Sequence, residues 1–220
     1  MDVNALIDHT LLRPDAAREE IERLCDEAVA HGFASVCVNT CWVPLCAERL
    51  AESPVAVCCV VGFPLGAMAT EPKAAETAWA VAAGADEVDM VLNGGWLKSG
   101  MDDAVRADIA AVVDAANGRI VKVILETGLL TDEQIVQACE LAVEAGAAFV
   151  KTSTGFGHGG ATVHDVALMA KAVAGRAQVK ASGGIHTAQE AESLVAAGAS
   201  RLGTSSGVAI AEGRTVEGGY

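Results

Sequence analysis

The stretch LAVEAGAAFVKT, residues 141–152, changes character at its centre. Up to Glu144 it is Ala-rich with apolar residues at helical spacing. Gly146 then offers a left-handed helix end, and 147–150 reads as a short buried strand. The same order of helix end, glycine at the C-cap and strand recurs in EAVAHGFASVCV (27–38), AVAAGADEVDMV (80–91) and LVAAGASRLGT (194–204). Repetition of this kind predicts βα units, whose strands run parallel because each return passes through a helix. VAVCCVVG (55–62), RIVKVILE (119–126) and QVKAS (178–182) supply three more strands, and ALIDHT (5–10) adds one at the start. Eight strands at intervals of roughly 20–35 residues predict a single-domain TIM (β/α)8 barrel spanning residues 1–220. An open, doubly wound sheet is the competing arrangement. It more often has five or six strands, and no GxGxxG turn follows the first strand here.

Helix starts are readable between the strands. Thr131 and Thr187 stand as N-caps before TDEQIVQACELAVEAG and TAQEAESLVAAG, and Pro72 falls in the first turn of EPKAAETAWAVAAG, where its missing N–H is harmless. No Pro/Gly/Ser-rich linker divides the chain. Half the residues (52%) are hydrophobic, with 23 glycines, enough for one substantial core. A net charge of −14 argues against a nucleic-acid surface, which needs clustered Lys and Arg. The start, MDVNALIDHTLLRPD, lacks the basic and apolar regions of a signal peptide, and no charge-free apolar run is long enough for a bilayer. The seven cysteines form no CxxC pair and lack zinc-ligand spacing, so the expectation is a reduced, cytoplasmic protein with no metal and no membrane partner.

In such a barrel, function collects at the C-terminal ends of the strands, and side chains alternate between interior and helix layer. Polar residues that interrupt the apolar strands are therefore informative. They are Asp8 on strand one, Cys37 on strand two, Asp89 on strand four, Lys122 on strand five, Lys151 on strand six and Lys180 on strand seven. If all face inward, three lysines and two aspartates share one enclosed space. A single strand-end lysine is ordinarily a surface charge, and a buried ion-pair network stabilises poorly compared with apolar packing. A cluster placed where barrels react points instead to chemistry.

Neighbouring lysines suit one chemistry well. An amine is nucleophilic only when neutral, and desolvation or a second cation favours that form. It then condenses with a carbonyl to an imine, an electron sink that supports cleavage of a C–C bond without a metal. Glycine-rich turns answer another need. SGG (182–184) and GTSSG (203–207) follow strands seven and eight, where barrels bind phosphate through backbone N–H groups. Gly183, Gly184, Ser205 and Ser206 are the candidate phosphate residues there.

The motifs IDHTLL, VGFPLGA, GADEVDMVLN, KVILETGLL, FVKTSTGFG, GGATVHDV, VKASGGI and GTSSG, in this order over nearly the whole chain, resemble the deoxyribose-phosphate aldolase family. FVKTSTG and VKASGG are its most specific matches. The resemblance implies a class I aldolase that reversibly cleaves 2-deoxy-D-ribose 5-phosphate to acetaldehyde and D-glyceraldehyde 3-phosphate, with no cofactor beyond the covalent lysine imine. It implies Lys151 as the imine-forming residue, and Asp89 and Lys180 as proton-transfer residues. Gly155 joins the substrate-binding loop, and Asp8, Cys37, Lys122 and Thr152 take supporting places. It also implies a homodimer. His158 stands where relatives are expected to carry a small hydroxyl residue. The tail, EGRTVEGGY, is expected to be flexible, and Tyr220 at its end is a candidate for proton transfer at the barrel mouth. Three other readings stay open: an imine-forming aldolase for a different phosphorylated sugar, a phosphate-binding barrel isomerase, and a non-catalytic binding barrel.

Overall fold

Strands this rich in valine bury their outer faces only under a helix layer, and parallel strands leave no room for short hairpins. The computed structural model describes residues 3–157 and 159–214. Its strands are β1 (Ile7–Leu11), β2 (Ser35–Asn39), β3 (Ala56–Val61), β4 (Glu87–Val91), β5 (Ile120–Ile124), β6 (Phe149–Lys151), β7 (Gln178–Ser182) and β8 (Arg201–Thr204). They pair in sequence order, all parallel, and β8 returns to β1 to close the barrel. All eight expected strands are present, and the open sheet is ruled out.

Around them lie α1 (Arg18–His31), α2 (Val43–Arg49), α3 (Thr70–Ala82), α4 (Gly94–Lys98), α5 (Asp102–Ala115), α6 (Asp132–Glu144), α7 (Val163–Val173), α8 (Ala188–Ala196) and α9 (Gly207–Ala211). Thr131 and Thr187 cap α6 and α8 as expected, each hydroxyl accepting the N–H three residues on while Gln134 or Glu190 reaches back. The glycine position needs one correction. Gly32 is the C-cap of α1, but α3, α6 and α8 end on Ala83, Ala145 and Ala197, and their glycine is the next residue. The backbone stays right-handed through the cap and reverses one step later, at φ +112° for Gly84 and +119° for Gly198. A Cβ there would sit 2.6 Å from that of Ala47 or 2.7 Å from that of Ala170, so the reversal also permits close helix packing.

The core divides by strand parity. Outward residues such as Val36, Val57, Val88, Met90, Val123 and Val150 pack with the helices in the main apolar core. The interior carries a small apolar cluster of Leu12, Cys37, Cys58 and Val60, with Phe63 against it, and Phe149 lies under Lys122 and Arg201. Charge fills much of the remainder. The helix layer also holds a buried ion pair that the sequence did not announce. Lys73 of α3 meets Asp108 of α5 at 2.6 Å and donates to the carbonyl of Val91 at 3.1 Å, tying two helices to the end of β4. Six of the seven cysteines are buried and Cys41 is exposed. No helix among the described residues is long and apolar enough to cross a membrane.

Candidate active site

Parallel register decides which inward side chains meet. Asp89 is the Cα partner of Lys122 across β4 and β5, and Lys151 that of Lys180 across β6 and β7. Partners in register point to the same face, so these four converge inside the barrel. Asp89 is the hub. Its Oδ2 accepts from Lys151 Nζ at 2.8 Å and from Lys180 Nζ at 2.7 Å, while Oδ1 accepts from Lys122 Nζ at 2.9 Å and from the Cys58 thiol at 3.2 Å. Asp8 pairs with Lys180 and with Arg201, the latter at 2.6 Å. Glu87, two residues before Asp89, takes Lys122 at 2.5 Å and Arg201 at 3.0 Å. The side chains of Asp8, Asp89, Lys122 and Lys180 are fully buried, and that of Lys151 is 3% exposed.

Burial opposes charge on every member, and the partners reverse that effect. Desolvation raises the Asp89 carboxyl, but Lys122, Lys151 and Lys180 outweigh it and hold the pKa well below the usual carboxylate range. Asp8 is lowered in the same way by Lys180, Lys122 and Arg201. For Lys122 and Lys180, desolvation pulls the amine down, yet the carboxylates around each win, and both lie above the ordinary lysine range. These two stay charged. The cluster thus sets four basic groups (Lys122, Lys151, Lys180 and Arg201) against three carboxylates (Asp8, Glu87 and Asp89).

A cavity of about 200 Å³ opens at the C-terminal ends of β6 to β8. Its walls include Lys151, Thr10, Leu12, Ser182 and His186 together with glycines of two loops, Gly155, Gly159 and Gly160 after β6 and Gly183 and Gly184 after β7, and Gly203 of β8. Of the three lysines in the cluster, only Lys151 reaches this wall. Gly183 and Gly184 have φ of +90° and +71°, a backbone shape that favours glycine. A Cβ at Gly203 would stand 2.1 Å from Ser182 Oγ and 3.0 Å from Lys180 Cε, so glycine there makes room for the buried lysine. Glu126 fixes the loop after β6. Its Oε2 accepts from the Thr154 hydroxyl at 2.5 Å and from the Thr154 N–H at 3.2 Å.

The interior therefore brings together Asp8, Cys37, Asp89, Lys122, Lys151 and Lys180. Cys37 lies beside Cys58 beneath Leu12 and does not line the cavity. Thr152 turns away, bracing β7 through the N–H and carbonyl of Ser182, both at 3.0 Å. Gly155, Gly183, Gly184 and Ser205 border the cavity. Ser206 is buried and borders a wider cleft with His9 and Arg13 against α1, which shares Thr10 and Ser205 with the cavity. His9 faces the helix layer, bonded to Glu27 at 2.7 Å. His158 and Tyr220 lie outside the described residues. Glu87, Arg201, Cys58, Thr10, Ser182 and His186 are site members that sequence reasoning did not single out. Two groups, Cys37 with Cys58 and Asp89, and Asp8 with Cys58 and Glu87, hold possible metal-ligand atoms within 4.8 Å of one another. Every carboxylate in them already accepts from an ammonium or guanidinium group, so a cation would have to displace a resident charge.

A closed parallel barrel with a buried charge cluster opening one amine to a cavity at its strand ends is a (β/α)8-barrel enzyme in class. Comparison with known proteins narrows this. The family model for DeoC/LacD family aldolases matches residues 3–213, and the chain belongs to that family. It is 60% identical over 220 residues, all of both chains, to a deoxyribose-phosphate aldolase of Bdellovibrio bacteriovorus. It is 59% identical to one of Brevibacillus brevis over 221 residues, covering 100% of both. A solved deoxyribose phosphate aldolase from Aeropyrum pernix, described as tetrameric, superposes with a TM-score of 0.89 at 35% identity, covering 96% of this chain and 89% of that one.

Proposed function

We propose that this aldolase cleaves 2-deoxy-D-ribose 5-phosphate reversibly to acetaldehyde and D-glyceraldehyde 3-phosphate through an imine on Lys151. The observation that carries the reading is that Lys151 alone of three clustered lysines faces the cavity, and that it has the fewest carboxylate partners, Asp89 only. Lys122, Lys180 and Arg201 each contact two or more carboxylates of the cluster.

The free amine adds to C1 of the open-chain sugar, and loss of water gives the iminium. Removal of the C3 hydroxyl proton lets the C2–C3 electron pair move into the iminium, leaving an enamine and releasing glyceraldehyde 3-phosphate. C2 then takes a proton, and water returns to free acetaldehyde and the amine. Asp89 and Lys180 lie behind Lys151, off the cavity wall, and serve these proton transfers through a bridging water. The ammonium of Lys180 supplies positive charge and a donor, while Asp89 holds both amines in place. Since the imine is itself the electron sink, no Lewis acid is required. Exhaustive chelation is expected to leave turnover unchanged; loss on chelation with recovery on adding zinc would overturn this part.

The glycine walls are read as the phosphate subsite, with main-chain N–H groups as donors. A Cβ at Gly160 would stand 2.4 Å from the Gly183 carbonyl oxygen, forcing two walls of the cavity apart. Gly160→Ala is therefore expected to raise KM for the phosphorylated sugar about tenfold, near 1.4 kcal/mol, with a much smaller change for free deoxyribose. Steady-state kinetics on both substrates checks this, and equal effects would place the phosphate elsewhere. Self-association belongs to the same reading, and light scattering distinguishes a dimer from the tetramer described for the Aeropyrum pernix relative.

The decisive experiment for the whole reading incubates the protein with acetaldehyde, reduces with borohydride and maps the adduct by mass. A stable adduct at Lys151 is expected. An isomerase or a binding barrel would give none.

A further inference from the structure

We propose that Glu87 and Arg201, an ion pair at the start of β4 and β8, set the pH range in which the Lys151 amine can react. The inference rests on the reading of Lys151 as the imine-forming residue.

Neither residue touches the cavity. Glu87 is one inward step from Asp89 toward the N-terminal end of the barrel, and Arg201 lies beside it with 15% of its side chain exposed. Both join the cluster by direct contact. Glu87 holds Lys122, which holds Asp89, which holds Lys151. Arg201 holds Asp8, which holds Lys180, which shares Asp89 Oδ2 with Lys151. The charged and titratable groups around Lys151 inside the barrel come from each other strand in turn: Asp8, Cys37, Cys58, Glu87 with Asp89, Lys122, Lys180 and Arg201. With both thiols protonated the count is four bases to three acids, and Glu87 and Arg201 each contribute one charge to it without meeting substrate.

Opposite consequences follow from changing each. Glu87→Gln keeps shape and hydrogen bonding but leaves two surplus positive charges, so the amine sheds its proton more readily. The acid limb of the rate profile should move to lower pH. Arg201→Gln leaves three bases against three acids, so the Lys151 ammonium is balanced and the limb should move to higher pH. The double variant restores a surplus of one and should return the limb to its original place. Across two to three side-chain lengths at an effective dielectric near 20, a unit charge is worth about 1 pH unit, and less for the partly exposed Arg201.

The test measures the rate of imine formation with acetaldehyde by timed borohydride quench, from roughly pH 5 to pH 10, with the adduct mapped to its residue. Opposite shifts in the single variants and restoration in the double are the expected result. General loosening of the barrel would move both single variants the same way and worsen the double, and that pattern would overturn the inference. So would a limb that moves with Cys37→Ser and with neither Glu87 nor Arg201. If Glu87→Gln does not fold, Arg201→Gln against the charge-keeping Arg201→Lys makes the same comparison, with a shift expected in the first alone. Absence of any adduct at Lys151 in the unaltered protein would remove the nucleophile assignment and this inference with it. An adduct at Lys151 with unmoved limbs removes only this inference.

Discussion

Lys151→Met is expected to fold like the parent protein and to lose aldol cleavage by a factor on the order of 10⁴ or more. The two halves of this expectation come from different parts of the structure. Stability survives because Asp89 keeps Lys122 at 2.9 Å and Lys180 at 2.7 Å, and because the residue removed is the unbalanced base of the cluster. An unbranched apolar side chain of similar length fills the same space, and replacing a buried charge in this way is often neutral or stabilising. Thermal unfolding should therefore shift by no more than a few degrees. Activity is lost because neither remaining lysine lines the cavity, and both are held protonated by their carboxylates. Steady-state cleavage and borohydride trapping check the result. An adduct that persists in the variant would assign the nucleophile elsewhere, with Lys180 the nearest alternative.

Asp89→Asn is expected to give the largest loss of stability, about 3–5 kcal/mol, the range found when one partner of a buried ion pair is removed. Three lysine side chains lose their common carboxylate at once, and two of them, Lys122 and Lys180, are fully buried. For a chain of this size the loss corresponds to a fall of roughly 6–20 °C in Tm. The pH dependence follows from the directions of the shifts. Asp89 and Asp8 lie below the ordinary carboxylate range when folded, so their contribution is complete above about pH 4 and fades as pH falls below it. Lys122 and Lys180 lie above the ordinary lysine range, so theirs is complete below about pH 10 and fades as pH rises beyond it. The parent should thus hold a stability plateau between those limits and drop in acid. The variant should start lower and show a shallower acid drop, since one titrating carboxylate is gone. Calorimetric scans across pH check both; a Tm equal to that of the parent at neutral pH would mean that Asp89 is not the hub of the cluster.

The sequence disclosed those parts of the molecule that repeat or that break a pattern. Four copies of helix end, glycine and strand are visible because Gly32, Gly84, Gly146 and Gly198 mark the same backbone reversal. Lys122, Lys151, Lys180 and Asp89 are legible as charges within short apolar strands, and alternation gives each a face; the closed barrel makes that face the interior. Glu87 and Arg201 did not stand out. They open their strands, where a charged residue ordinarily meets solvent, and only barrel closure turns them inward. Cys58 was hidden by its neighbour Cys59, since nothing in a cysteine doublet says which thiol faces Asp89. Lys73 and Asp108 were invisible for a different reason. Each sits on a separate helix among residues that read as a solvated face, and their 2.6 Å contact depends on how two helices pack. The resemblance to a known family supplied the roles; the cavity walls at Thr10, Ser182 and His186 needed the folded chain.

Asp8 in the first strand pairs with Lys180 and Arg201 in the last two, across 193 positions of sequence in the case of Arg201. The charge network is consequently a non-local assembly whose completion coincides with joining β1 to β8. A nascent or partly unravelled chain lacking that seam would have Lys180 short of one carboxylate and Arg201 without Asp8, and its amines would not share the arrangement seen here. On the reading of Lys151 as the imine-forming residue, its reactivity is conferred by topology, because the charge network around it is whole only when the ring of strands is closed.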